Sequence, residues 1–292
     1  MSPEPPLRGG TILVRLFVYL VLYFLAAIIA GPILGWIGGY LLGITVTGLV
    51  ASGVTNILCL GIFEALRLPD VGLHAGRASW RNLALGLAGG IGSALLVLVP
   101  SIGLGAAHFV PVTNPEAGPG TLAYTAFILL CGATGEELLF RGYGFQLLLR
   151  TAGPYIAIIP LGLLFAVLHA FNPSATALSV ANTAGFGLLF GYAVFRSRDL
   201  WLPIGLHFGW NVTLPLFGVN VSGLKIGVTG HALEWSAGKL WSGGDYGPEA
   251  SIVTSAVLFV LFVYIHKAPV CRQKSELLDP EGEITCAPGP QS

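Results

Sequence analysis

The sequence predicts an all-α fold: a polytopic membrane protein of eight transmembrane helices with both termini in the cytoplasm. Three observations carry that prediction. Of the 292 residues, 54% are apolar and only 10% are charged, against about 25% charged in an ordinary soluble domain. Apolar runs approach the roughly 20 residues needed to cross a bilayer at 11–30, 38–62, 82–105, 121–149, 154–171, 176–195, 200–217 and 250–266. The basic residues then sort by side. With the N-terminus inside, Arg8, Arg15, Arg67, Arg77, Arg81, Arg150, Arg196, Arg198, Lys267, Arg272 and Lys274 all fall inside, and only Lys225 and Lys239 fall outside. Retention of positive charge on the cytoplasmic side is the rule that orients membrane helices.

The first apolar run, 11–30, has no convincing cleavage site and reads as a transmembrane helix, not a signal peptide. The third and sixth runs contain Gly86-Leu-Ala-Gly-Gly90 and Gly185-Phe-Gly-Leu-Leu-Phe-Gly191, small-residue spacings that let membrane helices approach closely. The connection from 218 to 249 is rich in Gly and Ser and carries Trp235 and Trp241, aromatic side chains suited to the membrane interface. Residues 1–10 and 268–292 are polar and Pro-containing and read as disordered ends, the second a cytoplasmic tail, around one helical domain at 11–267. The four cysteines show no paired spacing and no CxxC, and Cys59 and Cys131 fall in apolar runs as small core residues. The formal net charge is zero, and no nucleic-acid partner is expected.

The fourth run, 121–149, holds Glu136 and Glu137 side by side. A charge in the bilayer core costs a few kcal/mol on insertion scales, so the pair needs a reason. Arg141 follows Glu137 by four residues, on the same helical face, and an embedded arginine needs a counter-ion. Glu136 points about 100° away and is free for another partner. Glu137 therefore reads as structural, paired with Arg141, and Glu136 as chemical. An apolar setting can tune such a carboxylate toward a general base. His169 lies in a later apolar run, and His207 and Asn211, four residues apart, project from one face of another. Two imidazoles and a carboxylate suit a metal, and an asparagine amide suits a developing oxyanion. Rise along the helices places Glu136 and His169 at a similar depth, roughly 21 Å in, and His207 to Asn211 at roughly 10–17 Å, a gap that helix tilt can close.

Three elements in this order, Glu136-Glu137-Leu-Leu-Phe-Arg141, Phe165-Ala-Val-Leu-His169 and His207-Phe-Gly-Trp-Asn211, resemble the CAAX protease and bacteriocin-processing family, whose pattern is Glu-Glu-x-x-x-Arg, Phe-x-x-x-His and His-x-x-x-Asn. All fixed positions match, over roughly 121–217. The resemblance implies an eight-helix intramembrane endopeptidase in which Glu136 activates a water, His169 and His207 bind or polarise it, Asn211 stabilises the oxyanion, and Glu137 with Arg141 holds the site together. It leaves the metal open. The reading leans to a divalent ion, zinc, on Glu136, His169 and His207, beside a metal-free route in which Glu136 and His169 polarise the water directly. Expected partners are the lipid bilayer and a protein or peptide substrate in or at the membrane, lipidated in part of the family. The expected location is a membrane, the cytoplasmic (plasma) membrane if the chain is prokaryotic. Two other classes remain: a catalytically silent scaffold or immunity protein of the same family, and a proton-coupled transporter, since embedded acids and histidines also mark such pathways.

Overall fold

The computed structural model describes residues 9–113, 117–279 and 281–286. The molecule is mostly helical, and every apolar run of the sequence becomes helix. The first two runs form α1 (Gly9–Glu64), which is broken at Gly39, where φ is +72°. A left-handed residue cannot continue a right-handed helix, and glycine adopts that region without penalty. The two limbs fold back on each other: a Cβ on Gly43 would sit 2.8 Å from the Cα of Gly35. At the far end the limbs are joined by Arg15 and Glu64, 2.5 Å apart.

α2 (Arg77–Gly103) follows a short 3-10 turn. The fourth run divides at Gly142 into α3 (Pro119–Arg141) and α4 (Tyr143–Ala152). A side chain at 142 would strike Leu138 O at 2.2 Å and Asn56 Oδ1 at 2.3 Å. α5 (Pro154–His169) begins with proline in its first turn, where the missing N–H costs nothing. α6 (Ala177–Ser197) is capped by Thr176, whose hydroxyl accepts from Ser179 N. α7 (Trp201–Leu216), a one-turn α8 (Lys239–Ser242) and α9 (Ile252–Lys267) complete the helices.

By length and composition four helical stretches can cross a membrane, Gly9–Glu64, Arg77–Gly103, Pro119–Ala152 and Ala177–Ser197, while α5 and α9 are apolar but shorter. Leu13, Phe17, Phe24, Ile28, Ile29 and Trp36 stand exposed along the first limb of α1, an apolar face of the kind lipid covers. The chain is a membrane protein by these helices. The finer expectation of eight spans with cytoplasmic termini goes beyond them.

The fold is not purely α. β1 (Ala107–Pro111) pairs antiparallel with β2 (His231–Trp235) in the register Ala107↔Trp235, and β3 (Cys271–Arg272) pairs with β4 (Thr285–Cys286). The first ribbon ties the 218–249 connection to the entry of α3. The second lies in residues that composition assigns to a disordered tail. There the chain turns back, Cys271 and Cys286 form a disulfide, and Leu277 is fully buried. Asn82 of α2 holds this return by two hydrogen bonds, donating to Cys271 O at 2.7 Å and accepting from Cys271 N at 2.9 Å. At the other end, the disorder expected for 1–10 falls outside the described residues except at Gly9 and Gly10, which start α1.

Glycine contacts set the helix spacing around the site. A Cβ on Gly90 of α2 would lie 2.2 Å from Leu206 O of α7, and one on Gly187 of α6 would lie 2.7 Å from Gly162 O of α5. A Cβ on Gly135 would meet Leu49 N of α1 at 2.7 Å. The helices carrying the embedded polar groups therefore touch backbone to backbone.

Candidate active site

α3, α5 and α7 bring Glu136, Glu137, Arg141, His169, His207 and Asn211 to one place. Glu137 is fully buried and Arg141 nearly so. Arg141 Nη1 lies 3.3 Å from Glu137 Oε1, and its Nη2 donates to Gly187 O at 2.9 Å. Its guanidinium also lies over Phe165 at 4.9 Å and Phe190 at 5.3 Å, contacts that favour a cation over an aromatic face. The carbonyl of Gly187 is reachable because the residue carries no side chain against α5. The pairing expected from the spacing of Glu137 and Arg141 is present.

Glu137 does more than balance Arg141. Its Oε1 also faces His207 Nδ1 at 2.9 Å. A carboxylate accepts, so Nδ1 carries a proton, and in the neutral form of the ring Nε2 is then a lone pair. Phe190 stacks on this ring at 4.9 Å with the planes 17° apart. His169 is set the same way from within its own helix: Nδ1 lies 2.8 Å from Phe165 O. A carbonyl can only accept, so His169 Nδ1 also donates, and in the neutral form of this ring Nε2 is likewise the bare nitrogen.

Both bare nitrogens point at Glu136. Its Oε2 lies 3.7 Å from His207 Nε2 and 3.9 Å from His169 Nε2. These gaps are too long for direct hydrogen bonds. The same oxygen is buried and has no hydrogen-bond partner among the described residues, although the rest of the side chain is partly exposed. Three acceptor atoms thus converge with no donor among them, an arrangement that calls for a water or a cation. Donor types suit zinc, but among the described residues no group of three or more His, Cys, Asp or Glu is arranged to hold a metal ion.

Two cavities meet here. A small one, about 20 Å³, is lined by His169, His207, Asn211, Ser222 and Glu249 among others, and that volume holds about one water. A larger cleft of about 370 Å³ contains Glu136 and shares His169, His207 and Asn211 with it. Its walls come from α1 at Tyr40, Leu41 and Ile44, from α3, and from Ser222 and Leu224. Asn211 lines both spaces. Among the described residues none takes up its amide, which leaves it free to donate.

Sequence reasoning missed two residues here, Ser222 and Glu249. Both sit in the polar connection before α9, where an acid or a hydroxyl is unexceptional. Trp210, within the third motif, is buried and donates from Nε1 to Glu249 Oε1 at 3.2 Å.

The fold and the site together define a class: a polytopic helical protein with a carboxylate–imidazole cluster set among membrane-length helices and opening into a cleft. Residues 118–213 match the family described as Rce1-like, type II CAAX prenyl endopeptidase. The match covers the motif-bearing core, from the start of α3 to Thr213 of α7, and indicates endopeptidase activity of the CAAX type in general. No curated protein matches the chain.

Proposed function

We propose that the protein is an intramembrane endopeptidase that hydrolyses a peptide bond of a membrane-associated protein or peptide through a water activated by Glu136. The observation that carries this reading is the convergence of Glu136 Oε2 with the two Nε2 atoms on the larger cleft, which Glu136, His169, His207 and Asn211 line together. A water held between them donates one hydrogen bond to Glu136 and one to an imidazole. As its oxygen attacks the scissile carbonyl carbon, Glu136 takes the proton and the carbonyl oxygen becomes an oxyanion. The Asn211 amide donates to that oxyanion, the kind of contact worth about 10²–10³ in rate. Glu136 then passes its proton to the amide nitrogen, the C–N bond breaks, and the products are a carboxylic acid and an amine. Glu137 keeps His207 in the required tautomer, and Arg141 holds Glu137 in place.

The sequence also favours a divalent metal, and it belongs to the proposal as a testable addition. The trio it favours is Glu136, His169 and His207, which in this structure are not arranged to hold an ion; zinc bound there would lower the pKa of its water to about 7. The residue roles above do not depend on it. The substrate is a chain that enters from the lipid through the cleft between α1, α3 and the 221–226 segment, whose Leu41, Ile44, Ile128 and Leu224 suit an apolar or lipidated segment. Eight spans with cytoplasmic termini remain part of this reading, as does residence in the cytoplasmic membrane.

The test uses purified wild type and Glu136→Gln in detergent, a panel of CAAX-type reporter peptides with and without a prenyl group, mass spectrometry of products, and elemental analysis for zinc. Wild type is expected to cleave and the variant to lose about 10²–10⁴-fold, the usual weight of acid–base catalysis. Equal rates in the two proteins reject the role of Glu136. Folded wild type that cleaves nothing in the panel favours the scaffold reading. Zinc near one per chain in wild type and absent from a His169→Ala, His207→Ala protein supports the metal, and activity in zinc-free wild type rejects it.

A further inference from the structure

Glu249 is a third acid of the site that none of the three motifs contains. It is 7% exposed and lines the one-water cavity with His169, His207 and Asn211. Its carboxylate joins two walls. Oε1 accepts from Trp210 Nε1 at 3.2 Å, inside the turn of α7 that runs from His207 to Asn211, and from Ser222 Oγ at 3.1 Å. Oε2 accepts from the backbone N–H of Ser222. Ser222 and its neighbours Val221, Leu224 and Ile226 form one side of the larger cleft.

The placement of Glu249 is over-determined. Asn182 of α6 donates to Glu249 O at 2.8 Å and Ser251 O at 2.9 Å, and is itself fixed by Ser255 Oγ at 2.7 Å. Thr254 Oγ1 holds Pro248 O at 2.6 Å. Gly247, at φ +107°, lets this turn pass against the 220 segment, where a Cβ would strike Asn220 O at 2.4 Å. From the other side, Asn172, just past α5, donates to Ser222 O at 3.2 Å. A buried carboxylate that only needed satisfaction would find it locally. This one instead spans from the turn before α9 to both the catalytic helix and a cleft wall.

Resting on the endopeptidase reading, we infer that Glu249 is a positioning residue that clasps the 221–226 segment to α7, so that the wall of the substrate cleft and the pair His207–Asn211 are held in one register. It acts through Ser222 and Trp210 and touches no reacting atom. Ser222 is the arm that faces substrate, and Trp210 is the arm that faces the chemistry.

The experiment compares wild type, Glu249→Gln and Ser222→Ala in detergent by two independent readouts. The first is hydrogen exchange of the peptides covering 218–226, with α3 as internal reference. Glu249→Gln puts an amide N–H against one of the donors of Ser222, and exchange in 218–226 is expected to rise about tenfold or more while α3 is unchanged. Unchanged exchange in 218–226 overturns the clasp. The second is cleavage of the prenylated reporter peptide, with rates normalised to folded protein. Ser222→Ala, which keeps the backbone arm and removes only the hydroxyl, is expected to raise KM about threefold or more with kcat held. A loss of folded protein alone cannot move KM, so an unchanged KM in both variants overturns the assignment. Should Glu249→Gln not fold, Ser222→Ala carries both readouts. Should wild type cleave no reporter, the exchange result still decides the clasp, so failure of the endopeptidase reading is seen separately.

Discussion

His207 Nδ1 lies 2.9 Å from Glu137 Oε1, the same oxygen that faces Arg141 at 3.3 Å. One buried carboxylate thus serves a cation of its own helix and an imidazole of another. Among the described residues the neighbouring Glu136 Oε2 has no hydrogen-bond partner, and Glu137 is engaged through Oε1 alone, its Oε2 being likewise unpartnered. Two adjacent glutamates therefore carry opposite burdens, and their variants separate stability from chemistry. Glu137→Gln leaves Arg141 uncompensated in the core, a change expected to cost about 3–5 kcal/mol, and frees the His207 ring. Melting temperature and cleavage rate both fall. Glu136→Gln removes nothing the fold depends on, so its melting temperature stays at the wild-type value while cleavage is lost. Equal destabilisation by the two substitutions would refute this division.

Asn211 lines both cavities and presents an unengaged amide. Asn211→Ala is expected to lower kcat about 10²–10³-fold, the usual effect of removing one oxyanion donor, with KM and melting temperature little changed. Steady-state kinetics on the reporter peptide check it. A rise in KM with kcat intact would assign Asn211 to substrate binding instead.

Gly90 brings α2 onto α7 one turn before Asn211, with room for no Cβ against Leu206 O. Gly90→Ala forces the helices apart, and overpacking of this kind costs about 1–3 kcal/mol. The protein should melt earlier and also cleave more slowly, because α7 carries both His207 and Asn211. Gly92, whose Cβ would meet nothing within 4 Å, is the control, and Gly92→Ala should leave both measurements near wild type.

How much of this was legible follows from where each residue sits. Glu136, His169, His207 and Asn211 stood out because polar groups are costly in apolar runs, and the i, i+4 spacing of Glu137 and Arg141 already named the pair. The second bond of Glu137, to His207, links helices 70 residues apart in sequence, and no local spacing encodes it. Glu249 and Ser222 were hidden for the opposite reason: in a polar connection, an acid needs no explanation. The tail misled by the same logic. Its polar composition reads as solvated, yet Asn82 satisfies its backbone and Leu277 supplies the buried apolar anchor. The small-residue spacings announced close helix contacts without saying which helices would meet.

The disulfide between Cys271 and Cys286 lies at the end of the bundle that also carries Arg150, Arg196 and Lys267, the end the charge pattern assigns to the cytoplasm. Cytosolic thiols are kept reduced. Both cysteines are therefore expected to be free in growing cells and to pair after lysis in air. Alkylation under acid quench, followed by mass spectrometry, reads the state directly. A bond already formed in cells would place this end outside and reverse the assigned orientation.

Asp199 lies between α6 and α7, outside the spanning helices, and is 1% exposed. Burial pushes its carboxyl up from 3.8 to about 7, against the opposing effect of hydrogen bonds led by the Asn82 amide at 2.7 Å. A raised pKa means that the folded state holds the proton more tightly than the unfolded chain. The stabilisation is full below about pH 4, where both states are protonated at this site, and is lost as pH rises through about 7. Each unit of that window corresponds to at most about 1.4 kcal/mol. The same Asn82 amide that donates to Asp199 also donates to Cys271 O, so ionisation at 199 bears on the docking of the tail. Wild type should melt at progressively lower temperature from pH 5 to pH 8. Asp199→Asn keeps an acceptor for Asn82 and cannot ionise, so the difference in melting temperature between the two proteins should favour wild type least at pH 8. Other groups titrate equally in both proteins and cancel in that difference. Parallel profiles across the window would show that the Asp199 carboxyl keeps its ordinary pKa in the fold.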